Sequence, residues 1–259
     1  MRRLALFAVF LLVAQPGPPP LAAALEAGET ARIESVADGD TLTLDNGTVV
    51  RLVGIQAPKL PLGRLGFKAW PLADEARAGL EALGLGRRVT LYYGGARLDR
   101  YGRALAHLYR DDGLWLQGEM LARGLARVYS FADNRAIVPE MLAREGAARV
   151  QRLGIWRNPF YAVRSAEPAT IPRDGYELVE GRVRDVATVR GRTYINFGDD
   201  WKSDFTLSLA SKVRRPFDRE GYSLESLKGL TIRARGWIKS YNGLMIELTH
   251  PEQIEIIDP

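Results

Sequence analysis

The sequence predicts an α+β protein in which a small barrel of five short strands with two to three helices is followed by a second barrel that is mostly β. Short strand patterns alternate with amphipathic helical patterns in the first part, the last part is almost all strand, and a proline-containing stretch separates them. The predicted organisation is therefore a first domain over residues 25–157, a linker over 158–175 and a second domain over 176–259.

Strand and helix signals follow one another in the first predicted domain. Asn46-Gly47 is a two-residue hairpin turn, because Asn and Gly accept the positive φ angles that such turns require. The predicted helices end where a glycine terminates the helical backbone. The predicted strands are 31–37, 41–45, 48–55, 88–93 and 104–109, and the predicted helices are 71–83, 115–123 and 138–153.

The second predicted domain alternates hydrophobic and polar residues along 205–209 and 232–239, as strands with one buried face do. Its remaining predicted elements are a short helix over 223–228, a turn at Asn242-Gly243, and strands over 244–248 and 253–257. A meander of about five strands with one helix favours an OB-like barrel, although SH3-like barrels leave a similar pattern.

The N-terminus has the pattern of an export signal. Arg2-Arg3 precedes the apolar run Leu4–Val13, and the small residues of Leu21–Ala24 follow. This predicts a secretory signal peptide over residues 1–24, cut after Ala24, and hence an exported, periplasmic or secreted protein. The alternative is an N-terminal anchor that is not cleaved, although the apolar run is short for a membrane span.

Composition narrows the chemistry. The chain has 259 residues, no cysteine and two histidines, His107 and His250, that stand far apart in sequence. Disulfides, thiol nucleophiles and cysteine-based zinc sites are excluded, and a Ser-His-Asp hydrolase is disfavoured. Catalysis would therefore rest on carboxylates and arginines, with or without a hard metal ion. The net charge of +5 permits a polyanionic partner without requiring one.

Several short motifs occur in one order across the first domain. They are Val36–Thr41 (Val-Ala-Asp-Gly-Asp-Thr), Arg51–Ile55, Ala57-Pro58, Asp99–Arg103, Gly124–Ala126 and Leu153–Trp156. Each motif is weak alone, but together they resemble the staphylococcal-nuclease (thermonuclease) family from about Ala31 to Trp156. The resemblance implies a phosphodiester hydrolase fold.

The resemblance also implies a set of site residues. In the family a Ca²⁺ ion lies on two aspartates and a backbone carbonyl, a glutamate positions the attacking water, and two arginines clamp the phosphate. Asp40 matches the first metal-binding aspartate, and Arg51 and Arg103 match the two arginines. The resemblance thus implies a phosphate clamp of Arg51 and Arg103 beside a metal ligand at Asp40.

The chain departs from the family at two positions. Gln56 stands where the family has the second metal-binding aspartate, and Lys59 stands where it has the catalytic glutamate. Since Ca²⁺ draws its affinity largely from carboxylate charge, we expect no cofactor, or weak Ca²⁺ or another divalent cation at Asp40. Lys59 would supply positive charge near the absent metal without acting as a base. The alternative is a relocated ligand set, for which the nearest acids in sequence are Asp38, Asp74 and Glu75.

Basic residues indicate anion binding. Arg51, Arg103 and Lys59 would form a cationic pocket, and Arg64 and Lys68 follow in the next loop. In the second domain, Arg233, Arg235 and Trp237 share one strand face, a pattern that single-strand binders use but that also fits a solvated outer face.

The leading hypothesis is an exported protein with a degenerate calcium and base site that binds single-stranded DNA, RNA or a related phosphodiester anion. Two alternatives stay open. One is an active metal-dependent nuclease that uses a rearranged ligand set around Asp40. The other is a protein-interaction module of the cell envelope, in which the barrels are inert scaffolds.

Overall fold

The computed structural model describes residues 22–200, 202–219, 221 and 223–258. The predicted signal peptide therefore lies outside the described residues, apart from Ala22–Ala24, which form one turn of 3-10 helix with Ala22 buried. Within the described part of the chain, no helix has the length and apolar character needed to cross a bilayer.

The first part of the chain forms the predicted barrel. Its elements are β1 (Glu26–Asp38), β2 (Thr41–Leu44), β3 (Val49–Leu52), β4 (Ile55–Gln56), α1 (Ala73–Gly84), β5 (Arg88–Tyr93), β6 (Ala104–Arg110), α2 (Leu116–Ala122), β7 (Arg127–Val128) and α3 (Val138–Val150). Five strands close the barrel in the order β1-β2-β3-β6-β5, with β3 and β6 parallel. The predicted fold class is confirmed, and β4 and β7 form a separate two-stranded sheet.

Side-chain alternation fixes which residues of the barrel face inward. Leu42 and Leu44 of β2 and Val50 and Leu52 of β3 are fully buried. Because side chains alternate along a strand, Arg51 must lie on the opposite face from Val50 and Leu52. Arg51 is paired with Thr41 across the β2–β3 ladder, which brings it beside the turn that joins β1 and β2.

The second part is mostly β, as predicted. Its elements are β8 (Arg164–Ser165), β9 (Tyr176–Arg182), β10 (Asp185–Val189), β11 (Arg192–Asn196), β12 (Thr206–Ala210), α4 (Arg214–Arg219), β13 (Thr231–Ser240), β14 (Leu244–Leu248) and β15 (Ile254–Asp258). The strand order is β10-β11-β12-β14-β13-β9-β8, β12 and β14 are parallel, and β15 pairs with β13. Val183 and Arg184 connect β9 directly to β10.

The stretch predicted as a linker packs against both parts. Tyr161 is buried, and its hydroxyl donates a hydrogen bond to the Pro71 carbonyl at 2.8 Å. Within the same stretch, β8 pairs with β9, and Ile171 is buried in the second core. The connection thus contributes side chains and a strand to the fold.

A buried ion-pair network joins the two parts. Arg235 of β13 is 1% exposed, and its guanidinium donates to Glu145 of α3 at 2.8 and 3.2 Å. The same guanidinium also donates to Glu255 of β15. Ser130 and His250 form a second buried contact at 2.7 Å. Because separating a buried ion pair leaves uncompensated charge, these contacts hold the second sheet in one position on the first part.

Candidate functional site

Two buried aspartates lie where β1 ends and turns into β2. Asp38 is 3% exposed and Asp40 is fully buried. Gly39, between them, allows this turn to approach the helix closely, because a Cβ atom there would lie 2.6 Å from Ala57 Cβ and 2.8 Å from Ala76 Cβ. The backbone N–H of Ala57 donates to Oδ2 of Asp40 at 2.8 Å. The turn therefore fixes the Asp40 carboxylate against the loop that carries Gln56 and Lys59.

The ammonium group of Lys59 contacts both of these aspartates. Its Nζ lies 2.6 Å from both carboxylate oxygens of Asp40 and 3.3 Å from Oδ2 of Asp38. Burial acts to raise the pKa of Asp40, but Arg51 and Lys59 outweigh it and hold that pKa below its ordinary value. Burial and the neighbouring Asp40 charge raise the pKa of Asp38. The arrangement is a lysine bound between two acids, in which the neighbouring cations favour the ionised form of Asp40.

Arg51 lies on the other side of Asp40. Its Nη1 is 3.1 Å from Oδ1 of Asp40, and its side chain is 13% exposed. The same guanidinium donates to the carbonyls of Leu52 at 2.9 Å and Ile55 at 2.8 Å. Arg51 therefore uses several of its N–H groups inside the protein, and only its remaining edge faces the cleft described below.

Gln56 is bonded to a buried arginine. Its Oε1 accepts hydrogen bonds from Nε and Nη2 of Arg127 at 2.9 and 2.7 Å, across the β4–β7 pair. Burial lowers the pKa of Arg127, whose guanidinium lies 5.1 Å from the centre of the Tyr176 ring. The amide oxygen at the position of the second family aspartate is thus committed to another partner.

These residues do not fit the calcium ion that the resemblance implies. Ca²⁺ requires six to eight oxygen ligands, with carboxylates supplying most of the charge. The Lys59 ammonium lies within hydrogen-bond distance of both Asp40 oxygens, and the Gln56 oxygen is bonded to Arg127. Across the described ranges, no group of three or more acidic, histidine or cysteine side chains is arranged to hold a metal.

A cleft of about 610 Å³ opens beside Arg51 and is lined by residues from both parts of the chain. Arg103 lines it, half-buried, with Nε and Nη2 each 2.7 Å from Oδ2 of Asp99. Arg100 also lines it and is exposed. Tyr101 lies next to both arginines, whose guanidinium carbons are 4.8 and 5.4 Å from its ring centre. The structure therefore brings Arg51 and Arg103 to one cleft, whereas Lys59 does not line it.

The loop residues predicted to bind nucleic acid lie elsewhere. Arg64 is exposed, donates to the carbonyls of Leu60 and Pro61, and lies 3.8 Å from the centre of the Phe67 ring. Lys68 is exposed in the same loop, and neither Arg64 nor Lys68 lines the cleft.

The interpretation of β13 as a nucleic-acid-binding face is wrong for two of its three residues. Arg235 is 1% exposed and is bonded to Glu145 and Glu255. Arg233 is mostly buried and pairs with Glu180. The predicted alternation along β13 is present, but Arg235 on this face contacts the first part of the chain and Arg233 contacts acids of the second part. Trp237, farther along the strand, is 49% exposed and lines the cleft.

Sequence reasoning missed two aromatic residues of the cleft. Tyr129 and Phe131 line it, and their rings meet edge to face with centres 4.7 Å apart. The available signal was their spacing, because the two residues are two positions apart immediately after β7. Alternate residues of an extended segment share one side. No local pattern indicated that Trp237, more than a hundred residues later, would join them.

Comparisons with known proteins agree with the fold. A sequence model described as "Staphylococcal nuclease homologue" matches residues 49–158. An "Uncharacterized endonuclease" of Escherichia coli O157:H7 is 31% identical over 128 residues, which cover 48% of this chain and 75% of that relative. The "Thermonuclease" of Staphylococcus intermedius is 30% identical over 135 residues, covering 50% and 77%.

"Protein ParB" of Escherichia coli is 34% identical over 170 residues, which cover 61% of this chain and 85% of that relative. The matched residues thus include most of each of these three relatives, and the family model covers the β3, β5 and β6 strands of the closed barrel. With the ordered motifs and the five-stranded topology, these similarities show that the chain belongs to the staphylococcal nuclease homologue family.

Proposed function

We propose that this protein binds nucleic acid, or a related phosphodiester anion, without the calcium-dependent hydrolysis of the family. The observation that carries the proposal is the position of Lys59, whose Nζ lies 2.6 Å from both oxygens of Asp40. A lysine ammonium supplies fixed positive charge in that position. It cannot polarise a phosphate as an exchangeable metal does, and it cannot accept a proton from water.

The chemistry of hydrolysis would need groups that these residues do not supply. Attack on a phosphodiester requires a base or orienting group for water and a cation that stabilises the developing charge. Lys59 replaces the family's glutamate, and Gln56 donates no charge and is bonded to Arg127. The calcium and base site is therefore degenerate in this proposal.

The capacity to bind an anion is supported by the cleft. Arg51, Arg100 and Arg103 line it together with the acids Asp99 and Asp133, so arginines outnumber acids among the lining residues. Arginine suits a phosphate because its planar fork donates two parallel hydrogen bonds to adjacent oxygens. Several relatives carry names that describe endonucleases, which supports nucleic acid as the polyanion. The proposal retains the predicted signal peptide and hence a periplasmic or secreted location.

The test uses purified protein and an end-labelled single-stranded DNA at low salt, with Ca²⁺, Mg²⁺, Mn²⁺ or EDTA in parallel. One gel reads both the mobility shift and cleavage. We expect a shift that weakens as salt is raised, with intact DNA in all four samples. Arg103→Ala should weaken the shift, whereas Arg77→Ala, which removes an exposed arginine of α1 that does not line the cleft, should leave it unchanged.

Two results would overturn the proposal. Metal-dependent cleavage that disappears in Arg103→Ala would make this an enzyme with a rearranged ligand set. Neither a shift nor cleavage would favour the alternative of an interaction module that binds another protein.

A further inference from the structure

Trp237 brings the second part of the chain into the cleft. It lies on β13, and it is the one cleft-lining residue among those described that comes from beyond residue 158. Its side chain is 49% exposed, which leaves a large aromatic surface in contact with solvent. Burying that surface against an aromatic ligand would be favourable.

The Trp237 ring is held in place by neighbouring aromatic residues. Its Nε1 donates to the Tyr129 hydroxyl at 3.0 Å, and its ring meets the rings of Tyr129 and Tyr176 edge to face at 6.4 and 6.2 Å. Two residues earlier on the same strand, Arg235 is fixed to Glu145 of the first part. A ring fixed in this way loses little conformational entropy when a ligand stacks on it.

The same cleft contains a guanidinium group that suits the phosphate of a nucleotide and further aromatic side chains that suit its base. Arg103 lies in the same cleft, as do the exposed side chains of Tyr101 (68%) and Phe131 (49%). The volume of about 610 Å³ lies within the range of small-ligand sites. Guanidinium groups bind phosphate, and aromatic faces stack on bases.

We propose that Trp237 stacks on an unpaired base, so that the cleft selects single-stranded nucleic acid over a duplex. Bases within a duplex are stacked on their neighbours and paired, so that they present no free face to a side chain. This inference rests on the proposed function, because it assigns the base-recognition element to the same cleft whose arginines bind the phosphate. The second part of the chain thus supplies specificity, and the first part supplies charge.

The test measures equilibrium binding by fluorescence anisotropy in EDTA, which prevents metal-dependent cleavage. The probes are a labelled oligo-dT, an abasic phosphodiester oligomer of the same length, and a duplex of that length. The wild-type protein should bind oligo-dT about tenfold or more tightly than the abasic oligomer, since stacking on one base is worth that factor. Trp237→Ala should remove this preference and leave abasic binding unchanged.

Two further variants make the result specific. Trp237→Phe retains an aromatic face without the bond to Tyr129, and it should retain most of the preference. Tyr241→Ala removes an aromatic residue of the second part that is 69% exposed and does not line the cleft, and it should bind as the wild type does.

The outcomes separate this inference from the proposed function. If the wild type binds oligo-dT and the abasic oligomer equally, the phosphate-binding function stands and the stacking inference fails. The inference also fails if the wild type binds the duplex as tightly as oligo-dT, if Trp237→Ala weakens binding to oligo-dT and to the abasic oligomer equally, or if Tyr241→Ala has the same effect as Trp237→Ala. If the wild type binds none of the three probes, the proposed function itself is overturned.

Discussion

Replacement of Lys59 by methionine tests the ion pair at the centre of the site. The substitution removes the ammonium group and keeps a long apolar side chain. Asp40, whose side chain is fully buried, would retain Arg51 as a partner but lose the nearer cation. Removing one member of a buried ion pair costs about 3–5 kcal/mol because a buried charge is left uncompensated. Since Arg51 remains, we expect the lower end, about 3 kcal/mol.

The assay is thermal unfolding at pH 7, with urea unfolding as a second measurement. One kcal/mol shifts the midpoint by about 2–4 °C for 150–250 residues, so that the midpoint should fall by roughly 6–12 °C. The matched control is Lys228→Met, which breaks a pair of 2.8 Å with Asp185 whose side chains are 61% and 51% exposed. Such exposed pairs contribute about 0–1 kcal/mol. Equal midpoints for the two variants would refute the reasoning.

The stability difference between Lys59→Met and the wild type should depend on pH. In the folded protein Arg51 and Lys59 overcome the effect of burial and lower the pKa of Asp40 below its ordinary value of 3.8. A lowered carboxyl pKa contributes stability that is fully present above the unfolded pKa and is lost as the pH falls through the folded pKa. The stability difference between the wild type and Lys59→Met should therefore narrow below about pH 4. A difference that stayed constant to pH 2.5 would contradict this.

Three other perturbations have defined outcomes. Arg235→Met should lower the urea-unfolding free energy by about 3–5 kcal/mol, because two acids then remain buried without their main cation; an unchanged unfolding midpoint would contradict this. Gln56→Asp with Lys59→Glu should raise Ca²⁺-dependent DNA cleavage, and a folded double variant that gains none would count against the matching of this loop to the family. Burial lowers the pKa of His250 to about 4 and that of His107 to about 3. The free energy of unfolding should therefore fall as the pH drops from 6.5 towards these values, by on the order of 1.4 kcal/mol per pH unit for each histidine. Thermal unfolding midpoints measured across that pH range test this expectation.

The barrel was predictable because its signals are local. Strand alternation, the Asn46-Gly47 turn and glycine stops each involve only a few neighbouring residues. In the barrel, the predicted strand over residues 88–93 has the observed bounds of β5, and in the second part the predicted strand over 244–248 has those of β14. The resemblance then related Asp40 to Arg51, which the β2–β3 register brings to the same end of the barrel.

The contacts between the two parts of the chain were not predictable in this way. Alternation along β13 shows that Arg233 and Arg235 share a face, but it cannot show whether water or protein covers that face. The partner that decides the matter, Glu145, is 90 residues away in sequence on α3. The sequence did not indicate that Glu145 is buried, because most acids on a helix are solvated, whereas this one is completely buried.

The electrostatics of the site indicate why selectivity would depend on the second part of the chain. Two buried aspartates face one lysine and one arginine, so the charges of these four side chains balance when all of them are ionised. Arg103 is itself partly neutralised by Asp99 at 2.7 Å. Few full positive charges therefore remain for phosphate, and phosphate contacts carry no sequence or strand information. Under the proposed function, selectivity for one form of nucleic acid would have to come from surfaces that touch bases, and Trp237 places an aromatic surface in the same cleft.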